Sequence, residues 1–199
     1  MAGLPAPAGD ERQTLVNFIA FQQDAFAAVA HGLTDEQARA TPLRSALSIG
    51  ALLKHVASIC EAYADAAAGL PPRDDRFEAY FENLQMLPGD TLEAVRERFD
   101  AAVPAYLAAV AAADLDAETL EDPAPWFGLT ERMPANKRFR LLHHVEEFAR
   151  HAGHADIIRE ELDGATAGSL LLAVVFIAAW RSHPSHQLAP FAQAAVSGD

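Results

Sequence analysis

Apolar side chains recur every three or four positions along four long stretches of this chain, the spacing that keeps one stripe of a helix out of water. The first stretch is 11–31, where Leu15, Phe18, Ile19, Phe26 and Val29 share a face and Gly32 follows as a stop. Thr34 and Gln37 form a capping-box pattern for a short helical turn that Pro42 closes. The second stretch is 48–68, with Ile49, Leu52, Leu53, Val56, Cys60 and Tyr63 on its stripe and Gly69, Pro71 and Pro72 at its end. A polar connection carrying Asp74, Asp75, Arg76 and Glu78 is expected next. Asp90 is then read as the cap of a third helix, with Glu93 in the reciprocal position. Its apolar positions are Leu92, Val95, Phe99, Val103, Tyr106 and Leu107, and Pro104 inside it predicts a kink or an early end.

The stretch 114–135 contains Pro123, Pro125, Gly128 and Pro134 and reads as a loop, with Trp126 and Phe127 as its anchor or as the lining of a pocket mouth. The fourth long helix spans 136–162 and stops at Gly164; its expected core stripe is Leu141, Leu142, Val145, Phe148, Ala152, Ala155 and Leu162. No run alternates apolar and polar residues with period two, and alanine, the strongest helix former, supplies much of the apolar content. The expected fold class is therefore all-α: an antiparallel four-helix bundle over 11–164. Residues 1–10 read as a disordered lead, and 165–199 as an extra C-terminal helix (170–181) with a loose tail after Pro184.

Charge and cysteine content narrow the function classes. The formal net charge is −13, which disfavours nucleic acid and anionic membrane surfaces as partners, because both need clustered Lys and Arg. Hydrophobic residues make up 51% of the 199, enough for a sizeable core. The single cysteine, Cys60, has no disulfide partner within the chain, and the opening residues lack the basic and apolar regions of a signal peptide; a cytoplasmic location is expected. The apolar run 170–180 is shorter than the roughly 20 residues of a membrane span. It is a candidate packing helix or homodimer face.

The chemistry is concentrated in His143–His154, where four of the eight histidines sit among carboxylates in HHVEEFARHAGH. Imidazoles and carboxylates on adjoining turns are the usual means of holding a metal ion. With His143 at 0°, successive steps of about 100° place Glu147 near 40°, His151 near 80°, His154 near 20° and His144 near 100°. Most of the core stripe falls between about 100° and 200°, so Glu147 and His151 lie beside it, one turn apart. His143 and His154 point further from the core and suit positions around the ligands or at the mouth, while His144 competes for ligation. His55 lies at the edge of the second helix's stripe and would face Glu147 and His151 if those helices pack side by side. Two imidazoles and a carboxylate leave coordination positions open, the arrangement of catalytic metal sites. Asp156 is a candidate for orienting a ligand histidine, or a solvated carboxylate. Arg150 and Arg159 suit either a substrate carboxylate or ion pairs with Glu146 and Glu160. Cys60 reads as a small buried hydrophobe rather than a nucleophile.

Two motifs carry a family resemblance. LSIGALLKHVA at 47–57 resembles the second-helix signature of DinB-like proteins, and LLHHVEEFARHAGHADIIREELDG at 141–164 resembles the fourth helix of their actinobacterial branch. ERQTLVNFIAFQQDAF and GLTDEQAR also look typical, and the resemblance runs over roughly residues 11 to 164. That branch is similar to mycothiol-dependent transferases and to the metal-binding domain of mycothiol-dependent maleylpyruvate isomerase. The resemblance implies a four-helix bundle with a metal triad of His55, Glu147 and His151; many relatives have histidine where this chain has Glu147. It implies a divalent ion, zinc first with nickel or iron as alternatives, and mycothiol as cosubstrate. The expected activity is metal-dependent S-transfer from a small-molecule thiol to an electrophile. A metal-dependent hydrolase on the same site, or a non-enzymatic metal-binding stress-response module, are the alternatives.

Overall fold

The computed structural model describes residues 4–74, 77–121, 128 and 130–172. The expected anchors Trp126 and Phe127, most of the expected 170–181 helix and the tail lie outside the described residues.

Four long helices make the bundle: α1 (Glu11–Val29), α3 (Ile49–Ala67), α5 (Leu92–Ala112) and α6 (Lys137–Asp163), with the short α2 (Asp35–Arg39) and α4 (Phe77–Glu82) between them. The fold is all-α apart from a two-stranded sheet, β1 (Glu118–Glu121) and β2 (Met133–Asn136). α3 packs chiefly against α5, and α1 against α6, with further contact between α3 and α6. Local chemistry explains the ends. Asp10, Ser48, Thr91 and Asn136 each accept a backbone N–H of the first turn through the side chain. Thr34 and Gln37 close the capping box of α2 in both directions. Gly164 ends α6 with φ of 77°, a left-handed conformation that glycine adopts without Cβ strain.

The core fills the space between the four long helices with Ile19, Phe26, Leu52, Val56, Tyr106, Leu141, Phe148 and Ile158, among others. Two residues of the expected stripes lie outside it. Phe18 is 43% exposed and Leu142 is 53% exposed, because each sits at the margin of its helix face, beyond the reach of a neighbouring helix.

Several expectations are corrected. The connection after α3 is not wholly irregular: it contains α4, followed by a segment in which Met86 packs on Gly50 so closely that a Cβ there would meet Met86 Sδ at 2.8 Å. Asp90 does not cap α5. Thr91 does, and Asp90 instead accepts Lys54 Nζ at 2.6 Å and the Leu87 N–H at 2.9 Å. The buried Lys54 charge needs an anion, and that demand outweighs a cap that Thr91 can supply. Pro104 does not end its helix, which runs on to Ala112. Both Pro104 and Asp100, whose carbonyl loses its amide partner, are exposed, so that carbonyl is open to solvent and the helix tolerates the lost bond. Within the expected 114–135 loop, β1 pairs antiparallel with β2, Glu118 opposite Asn136 and Glu121 opposite Met133. Pro134 is tolerated there because a two-stranded sheet consists only of edges. A further helical segment begins at 167–172.

Candidate metal centre

α3 and α6 present their ligand candidates to one another across the interface they share. His55, in the second turn of α3, is buried, and its Nε2 lies 3.2 Å from Glu147 Oε1 on α6. His151 Nε2, one turn along α6, lies 3.0 Å from the same oxygen. The two imidazoles meet edge to face with centroids 5.3 Å apart. Each of the three residues offers one donor atom, and all three atoms fall within 4.8 Å of one another.

That geometry fits an ion. Donors roughly 2.0–2.2 Å from a tetrahedral zinc are separated by about 3.3–3.6 Å, a few tenths of an ångström beyond the His–Glu distances here. The donor set, two nitrogens and one carboxylate oxygen, leaves a fourth position for an exogenous ligand. Hydrogen bonds from His151 and His55 hold the Glu147 carboxyl well below the usual carboxylate range, against the opposing effect of burial. Glu147 is therefore an anion at any physiological pH.

The remaining candidates separate. His154 lies beside the centre, its Nδ1 3.4 Å from His151 Nδ1. His143 is exposed and sits 3.4 Å from Glu146, so it neither approaches the three donors nor orients them. His144 is turned away from them into the core, where Tyr106 Oη lies 2.8 Å from its Nδ1 and the Phe148 ring stacks on it at 5.7 Å. Asp156 accepts the Ala167 N–H at 2.6 Å and so ties the end of α6 to the segment that follows. Trp126 is outside the described residues. Arg150 pairs with Glu146, as expected. Arg159 is buried and binds the carbonyls of Val29 and His31 together with Asp163, not Glu160. It caps the end of α1. Burial pushes the Cys60 thiol up to about 12, opposed by the hydrogen bond from Gln23, which leaves it a packing group.

Sequence reasoning missed Tyr80. Its hydroxyl is pushed up by burial and then by the negative charge of Glu147, which puts this α4 residue within electrostatic reach of the centre. Helical periodicity carries no signal for it, because α4 is six residues long and its placement depends on contacts outside it.

His144 yields a prediction of its own. Burial, reinforced by electrostatic interactions with His143 and Arg140, brings its pKa down to about 3 from an ordinary 6.5. Tyr106 then donates to the unprotonated Nδ1. The unfolded chain binds this proton below pH 6.5 and the folded chain does not, so the residue leaves stability untouched above that pH and erodes it as pH falls towards 3. Across that window its share of the slope is on the order of 1.4 kcal/mol per pH unit. His144→Gln keeps an acceptor for Tyr106 and removes the titration. Its denaturant-unfolding free energy is expected to fall less steeply than wild type between pH 6 and 4; parallel slopes would contradict the assignment.

The helical bundle brings two histidines and a glutamate together between α3 and α6 as a group that could hold a metal ion. The chain belongs to the mycothiol-S-transferase family, a DinB-like family whose model matches residues 14–164. No curated protein matches it. Among solved structures, it is similar to the crystal structure of a conserved protein from Enterococcus faecalis, with a TM-score of 0.61 at 14% identity, over 79% of this chain and 100% of that one. At that identity the likeness speaks for the fold alone. Among the described residues no helix is long and apolar enough to cross a membrane.

Proposed function

We propose that the protein joins a small-molecule thiol, mycothiol, through its sulfur to an electrophilic small molecule at a centre where His55, Glu147 and His151 would hold one divalent ion, zinc in the first instance. The observation that carries the reading is the convergence of these three donors within 4.8 Å. Membership of the family supplies the thiol.

When bound, such an ion supplies the Lewis acidity that deprotonates a thiol at neutral pH. The chain's own groups set the conditions for that chemistry. One carboxylate and two neutral imidazoles offset a single one of the ion's two positive charges, so the open side of the site favours an anionic sulfur. Glu147 stays ionised beside its two histidine partners and does not compete for the thiol's proton. His55 is buried on the α3 side and shields that flank from water. In the overall reaction a sulfur–carbon bond forms to the electrophile, the leaving group departs with its bonding pair, and the thiol proton passes to solvent.

The test uses zinc-loaded protein with mycothiol and monochlorobimane. Conjugate is expected to form faster than without protein, and the gain is expected to vanish when a chelator strips the metal. Conjugation at the uncatalysed rate in the presence of stoichiometric zinc would overturn the proposal.

A further inference from the structure

We propose that His154 is the positioning residue of this centre, holding His151 in the tautomer that can ligate through Nε2. The inference rests on the metal-centre reading above and adds to it a role for an imidazole that is not itself a ligand.

A neutral imidazole has one nitrogen that donates and one that accepts. His151 directs Nε2 towards Glu147 Oε1 at 3.0 Å and sits edge to face with His55, so Nε2 is its ligating nitrogen. Without an ion, Nε2 keeps its proton and donates to Glu147; once it gives its lone pair to an ion it carries none, so the proton of the ligating His151 must reside on Nδ1. The polar atom facing Nδ1 is His154 Nδ1, at 3.4 Å, with ring centroids 5.4 Å apart and planes at 60°. His154 can accept there only while its own proton sits on Nε2. With an ion bound, each ring therefore dictates the tautomer of the other. The two residues are three apart on the same long helix, so the backbone of α6 fixes their spacing without help from any loop.

Metal-bound histidines are commonly oriented by a carboxylate or a backbone carbonyl. The acidic side chains nearby on α6 are committed elsewhere: Asp156 to the Ala167 N–H, and Glu146 to Arg150 and His143. Using a neutral imidazole in that place has a chemical consequence. It fixes the ligand's orientation without adding a second negative charge, and so preserves the residual positive charge that an anionic sulfur needs.

The experiment measures zinc affinity by competition with a chelating dye for wild type, His151→Ala, His154→Ala, His154→Phe and His154→Asn, with far-UV circular dichroism to check each fold. In parallel, long-range proton–nitrogen NMR of zinc-loaded wild type reads the tautomer of His154. The Ala and Phe variants are expected to weaken zinc binding by roughly ten-fold or more, while Asn, which can place an amide oxygen near the site of Nδ1, recovers most of the loss. His154 is expected to carry its proton on Nε2. A Phe variant that binds zinc as wild type does, or a His154 protonated on Nδ1 in the loaded protein, overturns the assignment. The two layers fail separately. Wild type that holds no zinc removes the metal centre and this role with it, whereas zinc released by His151→Ala but unaffected in every His154 variant removes only the role of His154.

Discussion

His55→Ala is expected to lower zinc affinity by roughly 100-fold or more. Structural zinc sites with four ligands release on the order of 10–16 kcal/mol, so one ligand accounts for about 3 kcal/mol, and each 1.4 kcal/mol is a factor of ten. The loss has a second readout. An ion that binds only the folded chain stabilises it by about 2.7 kcal/mol when present at 100 times its dissociation constant. Zinc should therefore raise the melting temperature of wild type and have little effect on that of the variant at the same concentration. His55 is the informative position because it is the member of the group that comes from α3, so its removal takes away the α3 donor while leaving the Glu147–His151 pair intact on α6. Equal zinc-induced shifts in the two proteins would dismiss His55 as a ligand.

Phe148→Ala is expected to destabilise the fold by about 3–5 kcal/mol, the range for removing a large aromatic side chain from a packed core. The Phe148 ring is fully buried, stacks on His144 and meets Tyr106 edge to face with centroids 6.1 Å apart. It also follows Glu147 directly in the chain, so the cavity would loosen the turn of α6 that carries the carboxylate. Leu142→Ala is the control: that side chain is 53% exposed, and its removal should change stability by no more than about 0.5 kcal/mol. Chemical denaturation of both variants measures the contrast, and equal losses would refute the burial difference.

That pair of residues also shows where sequence reasoning stops. Leu142 and Phe148 both belong to an apolar stripe of the same helix, and the stripe predicts the helix correctly. Which margin of the stripe meets a neighbour depends on where α1 and α3 lie, and a helix does not encode the angle at which others approach it. The same limit applies to His144. Its helical angle allowed it as a competing ligand, but Tyr106, 38 positions earlier on another helix, claims its Nδ1.

Asp90 and the short elements make the point for local signals. The sequence put the cap on Asp90, one residue before the true cap Thr91, and gave no sign that the Asp90 carboxylate would be drawn to Lys54, 36 residues away. α4 and the β1–β2 pair were read as irregular because six-residue and four-residue elements hold too little periodicity to be distinguished from loop, and their stability comes from what they touch.

By itself the sequence determined the four long helices, the glycine stops after three of them, the all-α class, and the pairing of Glu147 with His151 one turn apart. All of these follow from interactions between residues within about four positions of each other, whose geometry the helical backbone sets. The sequence also named His55, on condition that its helix packs beside α6; only the tertiary structure supplied that packing, set His154 and not Asp156 beside His151, and brought Tyr80 within reach of Glu147. Those relations join residues on different elements, or choose among neighbours of equal spacing, and they are settled by which side chains win burial and hydrogen-bond partners when the helices pack.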